Sequence, residues 1–142
     1  MADPEKRSII PLYSLFDNTA NENSKAVTVP SGQVYFINWL HLIYTSSATA
    51  GNRQVKMKVE DDSANLLLDI HAGAVQAASL TYHYSFMQGV YRETSLVDNS
   101  LQVPIPKDLY LDSGWVLTVF DDTDVDSADD LVFSGQVFRY AR

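Results

Sequence analysis

The 142-residue chain contains no cysteine. Disulfides, thiolate metal centres and cysteine nucleophiles are therefore excluded. Histidine is scarce: His41, His71 and His83 are the only three, and no two share the close sequence spacing of a metal pair. Basic residues are also few. Ten Lys and Arg stand against 18 Asp and Glu, leaving a net charge of −8 and a pI near 4.6. Such a surface repels phosphate backbones and anionic lipid, so neither nucleic acid nor a membrane is an expected partner. A basic partner surface is conceivable.

Long apolar runs are missing as well. The longest, Val34 to Tyr44, is interrupted by Asn38 and His41 and is about half the length a membrane helix needs. Met1 to Ser8 is polar and charged and has no apolar segment of a secretory signal. Asn-x-Ser/Thr acceptors, His-Glu-x-x-His, Gly-x-Ser-x-Gly and Gly-x-x-x-x-Gly-Lys are all absent. The reading is of a non-enzyme without catalytic, metal or cofactor-binding residues. No stretch sustains a helical period of 3.6.

What is present is a period of two. Val55, Met57 and Val59 alternate with Gln54, Lys56, Lys58 and Glu60, as in a strand with one wet face. Leu66, Leu68 and Ile70 repeat the pattern. So do Leu80, Tyr82, Tyr84 and Phe86, and Trp115, Leu117 and Val119. His83 falls on the outward side of its strand, and Trp115 on the core side. Turn signals separate the runs: Pro30-Ser31-Gly32, Ala50-Gly51-Asn52, Asp61-Asp62-Ser63 and Asp112-Ser113-Gly114. Pro104 and Pro106 bracket a short extended piece, which proline keeps out of a central ladder.

The expectation is an all-β, antiparallel β-sandwich of about eight strands, near 8–16, 25–29, 33–45, 53–60, 65–71, 79–88, 115–120 and 131–140, with a short extra one near 100–105. Ala72 to Ser79 reads as a loop. At 142 residues there is one domain with a core of its own, here residues 8–142, preceded by a flexible arm at residues 1–7.

One strand breaks the pattern. In 33–44 the even positions carry Val34, Phe36, Leu40 and Leu42, and the odd ones Tyr35, Ile37, Trp39 and Ile43. With strict alternation the even set fills the core. Tyr35, Ile37, Trp39 and Ile43 then form an apolar outer face, covered either by a loop or by another subunit, and are the candidate oligomer interface. Among aromatics that could serve as a sugar platform, Tyr91, with Arg92 beside it, is the best surface candidate. The acidic stretch Asp121, Asp122, Asp124, Asp126, Asp129 and Asp130 could hold calcium, but its spacing fails the EF-hand template. It reads as a solvated loop whose carboxylates cap turns.

Thr49-Ala50-Gly51-Asn52-Arg53-Gln54-Val55, then Ala74 to Thr81, then Pro104-Ile105-Pro106, Leu109, Leu111, Gly114-Trp115, Asp121 and Ala128-Asp129-Asp130-Leu131 together resemble small accessory proteins of tailed bacteriophage particles. The resemblance spans residues 30–135 and consists of strand and turn positions. It implies a jelly-roll-like sandwich and a virion role as a capsid decoration, or cement, protein. It also implies assembly in the bacterial host cytoplasm, contacts with the major capsid protein and with copies of itself, a homotrimer favoured, and no cofactor. The alternative is a tail- or fibre-associated protein that binds a receptor or carbohydrate.

Overall fold

In the computed structural model the described residues are 12–142; the arm expected at 1–7 and the start of the first strand lie outside them. Ten strands follow one another: β1 (Leu12–Asp17), β2 (Ser24–Thr28), β3 (Gln33–Thr45), β4 (Val55–Glu60), β5 (Leu66–His71), β6 (Thr81–Met87), β7 (Ser100–Pro104), β8 (Tyr110–Leu111), β9 (Val116–Asp121) and β10 (Asp130–Ala141). No helix occurs among the described residues.

Two sheets pack face to face. One has the order β1-β10-β3-β6-β7, with β8 also on β3; the other has the order β2-β9-β4-β5. Four antiparallel pairs nest inside one another along the chain: β1 with β10, β2 with β9, β3 with β6, and β4 with β5. That nesting is the wrapping of a jelly roll. The exception to antiparallel pairing is β7, which runs parallel to β6. A parallel neighbour needs a crossover of about a dozen residues, and the loop at 88–99 supplies it. As an edge strand, β7 can end in Pro104 without losing a ladder bond. The Pro30-Ser31-Gly32 signal becomes a turn closed by the Gln33 amide on the Pro30 carbonyl at 3.2 Å. Gly32 sits at φ +77°, as the third residue of a type II turn requires.

The inner faces meet in a core. Val55, Met57 and Val59 of β4, Leu117 and Val119 of β9, Tyr84 and Phe86 of β6, and Leu131, Phe133 and Val137 of β10 are all buried there. Burying each such side chain contributes roughly 1.5–3 kcal/mol. Trp115 packs against this core while partly exposed. Gly135 allows β10 to approach β3 closely, because a Cβ there would lie 2.8 Å from Leu40 Cδ2.

Strand β3 does not alternate strictly, and two of the four interface candidates are thereby corrected. Opposite β10, Trp39 pairs with Gln136 and Ile37 with Val137, so Asn38 is an extra residue, a β-bulge. The bulge reverses the inward parity. Before it, Tyr35 and Ile37 point into the core, with 3% and 2% of their surface exposed; after it, Leu40, Leu42 and Tyr44 do. Phe36, expected inside, is half-buried outside the core cluster. Trp39 and Ile43 remain on the outer face, each half-buried.

Candidate interaction face

Two constellations stand out, near opposite ends of β3. The first is buried. Arg53 precedes β4 at an inward position, and neither its side chain nor that of Asp129, just before β10, has exposed surface. Arg53 Nε and Nη2 donate to the two carboxylate oxygens of Asp129 at 2.9 and 3.1 Å. Arg53 Nη1 donates to the carbonyls of Thr49 and Gly51. The Tyr44 hydroxyl donates to Asp129 at 2.8 Å, and the Ser47 amide does so at the same distance. Gln76 closes the group: it accepts from the Tyr84 hydroxyl and donates to the Tyr44 and Leu80 carbonyls. Burial pushes the Tyr44 and Tyr84 hydroxyls well above the usual phenol range. Burial opposes ionisation of Asp129, but its bonds from Arg53, Ser47 and Tyr44 hold the carboxyl below the ordinary carboxylate value. With the side chains of Arg53, Asp129, Tyr44, Gln76 and Tyr84 buried and their donors and acceptors matched, this network clamps the loops at one end of the sandwich.

The acidic stretch is therefore not uniformly solvated. Asp129 belongs to the clamp. Asp121 is 5% exposed and accepts from the Gln54 amide and from the Thr123 amide and hydroxyl. Asp126 does cap turns: the Ser47 hydroxyl, the Ala128 amide and the Thr49 hydroxyl bring its carboxyl down to about 2. Among the described residues, no three His, Asp or Glu side chains group closely enough to hold a metal ion.

The second constellation is the outer face of the larger sheet. Ladder partners place Leu12, Phe138 and Phe36 in one row, and Ser14, Gln136, Trp39 and Met87 in the next. Phe16 is 68% exposed, and Phe138, Tyr140 and Tyr110 are exposed to between 37% and 39%. Three ring pairs around Phe36 and Tyr110 meet edge to face. Phe36 lies 5.3 Å from Tyr140 and 5.4 Å from Tyr110, and Tyr110 lies 5.9 Å from Trp115. Phe36, Phe138, Tyr140 and Asp108 bound a cleft of about 290 Å³. Toward the other end of β3 the face turns polar, where His41 and His83 meet with Nε2 and Nδ1 3.2 Å apart. The ring planes are inclined by 28° with their centroids 5.3 Å apart, and one ring N–H donates to the other ring's nitrogen, the tautomers setting the direction. His83 thus faces outward as its alternation predicts. Burial, and then His83, lower the His41 pKa below 6.5.

Of the four candidates from sequence, the outer face contains Trp39 and Ile43. It also holds Phe36, Phe138, Tyr140 and Tyr110, which alternation on β3 alone did not bring together. Tyr91 and Arg92 lie in the loop at 88–99, Tyr91 being 91% exposed. No protein-family model matches the chain, and no curated protein matches its sequence.

Proposed function

We propose that the chain is a non-enzymatic structural component of a tailed-bacteriophage particle, a capsid decoration protein that stabilises the head by protein–protein contacts. The observation that carries the reading is the outer face of the larger sheet. The aromatic side chains Phe36, Trp39, Phe138 and Tyr140 on one face, with Ile43 beyond His41 of the His41–His83 pair, are what an interface core is built from, since aromatics are enriched there and charges depleted. The resemblance of residues 30–135 to phage accessory proteins supplies the class of particle. A jelly roll suits the role because its wrapping stiffens the sheet that presents the face. Closed symmetry satisfies identical patches without open ends, and a trimer is the state we favour. The partners in this reading are copies of the chain and the major capsid protein; it needs no cofactor, nucleic acid or membrane.

Electron microscopy of purified particles tests it. Density for the sandwich on the head, with the Trp39 face against a neighbour, is the expected result. Absence from the particle, or a face left open to solvent there, overturns it. Location at the tail tip together with glycan-array binding would instead favour a receptor-binding protein.

A further inference from the structure

The cleft at the aromatic end of the outer face has a chemistry of its own. Phe36 and Tyr140 meet at 79°, so a guest lying in the angle between them meets at least one ring face. Phe138 adds a third aromatic wall, and the Asp108 carboxylate completes the lining. A ring face is the negative end of an aromatic quadrupole and attracts a cation within about 6 Å. A carboxylate beside such a face adds a full negative charge. Two nearby arginines are committed elsewhere: Arg139 lies over the Tyr13 ring, and Arg142 pairs with Asp112. Among the described residues no cation pairs with Asp108. Lys107 precedes it on the same exposed turn. The chain as a whole carries −8, which draws basic surfaces toward it.

We propose that this cleft receives an arginine side chain of the partner protein that covers the outer face. Arginine fits better than lysine. Its planar guanidinium stacks on a ring while its N–H fork pairs with a carboxylate, and it sheds water more readily than an ammonium. The inference rests on the reading of this face as an interface and names the chemistry of the partner: a basic, arginine-bearing protein surface.

The test is an amide-resolved NMR titration of the isolated full chain with N-acetyl-arginine methylamide. N-acetyl-citrulline methylamide, the neutral isostere, and methyl β-glucoside serve as comparisons. The arginine probe should shift residues 36, 108, 138 and 140 saturably, and the citrulline probe should bind several-fold more weakly. Asp108→Asn should weaken the arginine probe about two- to fivefold, the range of an exposed ion pair. Tyr140→Leu should weaken it as well, and an unchanged spectrum elsewhere shows that either variant is folded. No saturable shift with the arginine probe overturns the proposal, as does equal binding of the citrulline probe. Glucoside binding that exceeds arginine binding overturns it too, and makes the cleft a sugar platform. Because the titration uses the chain alone, its failure is distinguishable from absence of the chain from particles, which would remove the interface reading instead.

Discussion

Asn38 Nδ2 donates to Gln136 Oε1 at 2.8 Å, and the Trp39 indole N–H reaches the same oxygen at 3.3 Å. One glutamine on β10 thus fastens both residues of the bulge on β3. Without this fastening the extra residue is an unpaired loop in a central strand. Gln136→Ala should lower stability by about 1–2 kcal/mol in urea unfolding, since two hydrogen bonds of roughly 0.5–1.5 kcal/mol are lost near a solvated surface. Gln136→Glu keeps one acceptor oxygen and should cost less. Equal stability of wild type and Gln136→Ala would mean that the backbone alone holds the bulge.

The Arg53–Asp129 pair gives a larger effect. Asp129→Asn leaves a buried guanidinium without its counter-charge, which costs about 3–5 kcal/mol. Replacing both partners by apolar residues, Arg53→Met with Asp129→Leu, should recover much of that loss, because the uncompensated charge goes too. The recovery is partial, since the Ser47 amide and the Tyr44 hydroxyl then lose an acceptor. Denaturant melts of the two variants decide the point. A double variant no more stable than the single one would show that the bonds from Tyr44 and Ser47, not the ion pair, dominate the clamp.

These two features mark where the sequence was legible and where it was not. The period of two and the turn residues located nine of the ten strands. The two-residue strand at Tyr110–Leu111 escaped because two residues carry no period. The bulge escaped because both faces of β3 are apolar, so a reversal of parity leaves no mark in hydrophobicity. Asn38, a polar residue in an apolar run, was the one visible sign. Arg53 could have been found. It shares the parity of Val55, Met57 and Val59, and an arginine at an inward position needs a buried carboxylate. Which aspartate supplies it depends on a contact across 76 residues that no local pattern encodes.

Acid should weaken the fold in two stages. His41 has its pKa lowered by burial and by His83, so the folded state favours its neutral form. Its contribution is present above the unfolded value of 6.5 and is lost as pH falls through the lowered folded value. Asp126 is held down to about 2 by Ser47, Ala128 and Thr49, so its contribution is present above 3.8 and is lost as pH falls toward 2. Thermal melts across this range should show both limbs. His41→Gln should flatten the upper limb, and Asp126→Asn the lower one. A profile unchanged by either substitution would detach these groups from acid stability.

Calcium should leave the fold unaffected. The oxygens of Asp121, Asp126 and Asp129 are already taken by amide, hydroxyl and guanidinium donors, so a cation would have to displace them. Melting curves with calcium and with a chelator should coincide. An upward shift with calcium would reveal a native-state site, because a ligand that binds the folded state must stabilise it.

The outer face and the core of β3 should separate in a mutational test. Leu40 is 1% exposed and packs beneath Gly135, so Leu40→Ala should destabilise the fold by about 2–5 kcal/mol. Trp39 is its neighbour in sequence but lies on the opposite face, half-buried beside Gln136 and Met87. If copies of the chain meet through this face, Trp39→Glu places a charge where an apolar partner must sit. Sedimentation and light scattering should then show weakened association of a folded chain. Because Trp39→Glu also removes the indole bond to Gln136, Ile43→Glu provides a second variant that leaves the bulge intact. The same dissociation is expected from it. Tyr35→Phe and Ile37→Val, altered inside the core, should leave association unchanged. A wild-type chain that stays monomeric at high concentration would remove self-association through this face and leave contact with another protein as its use.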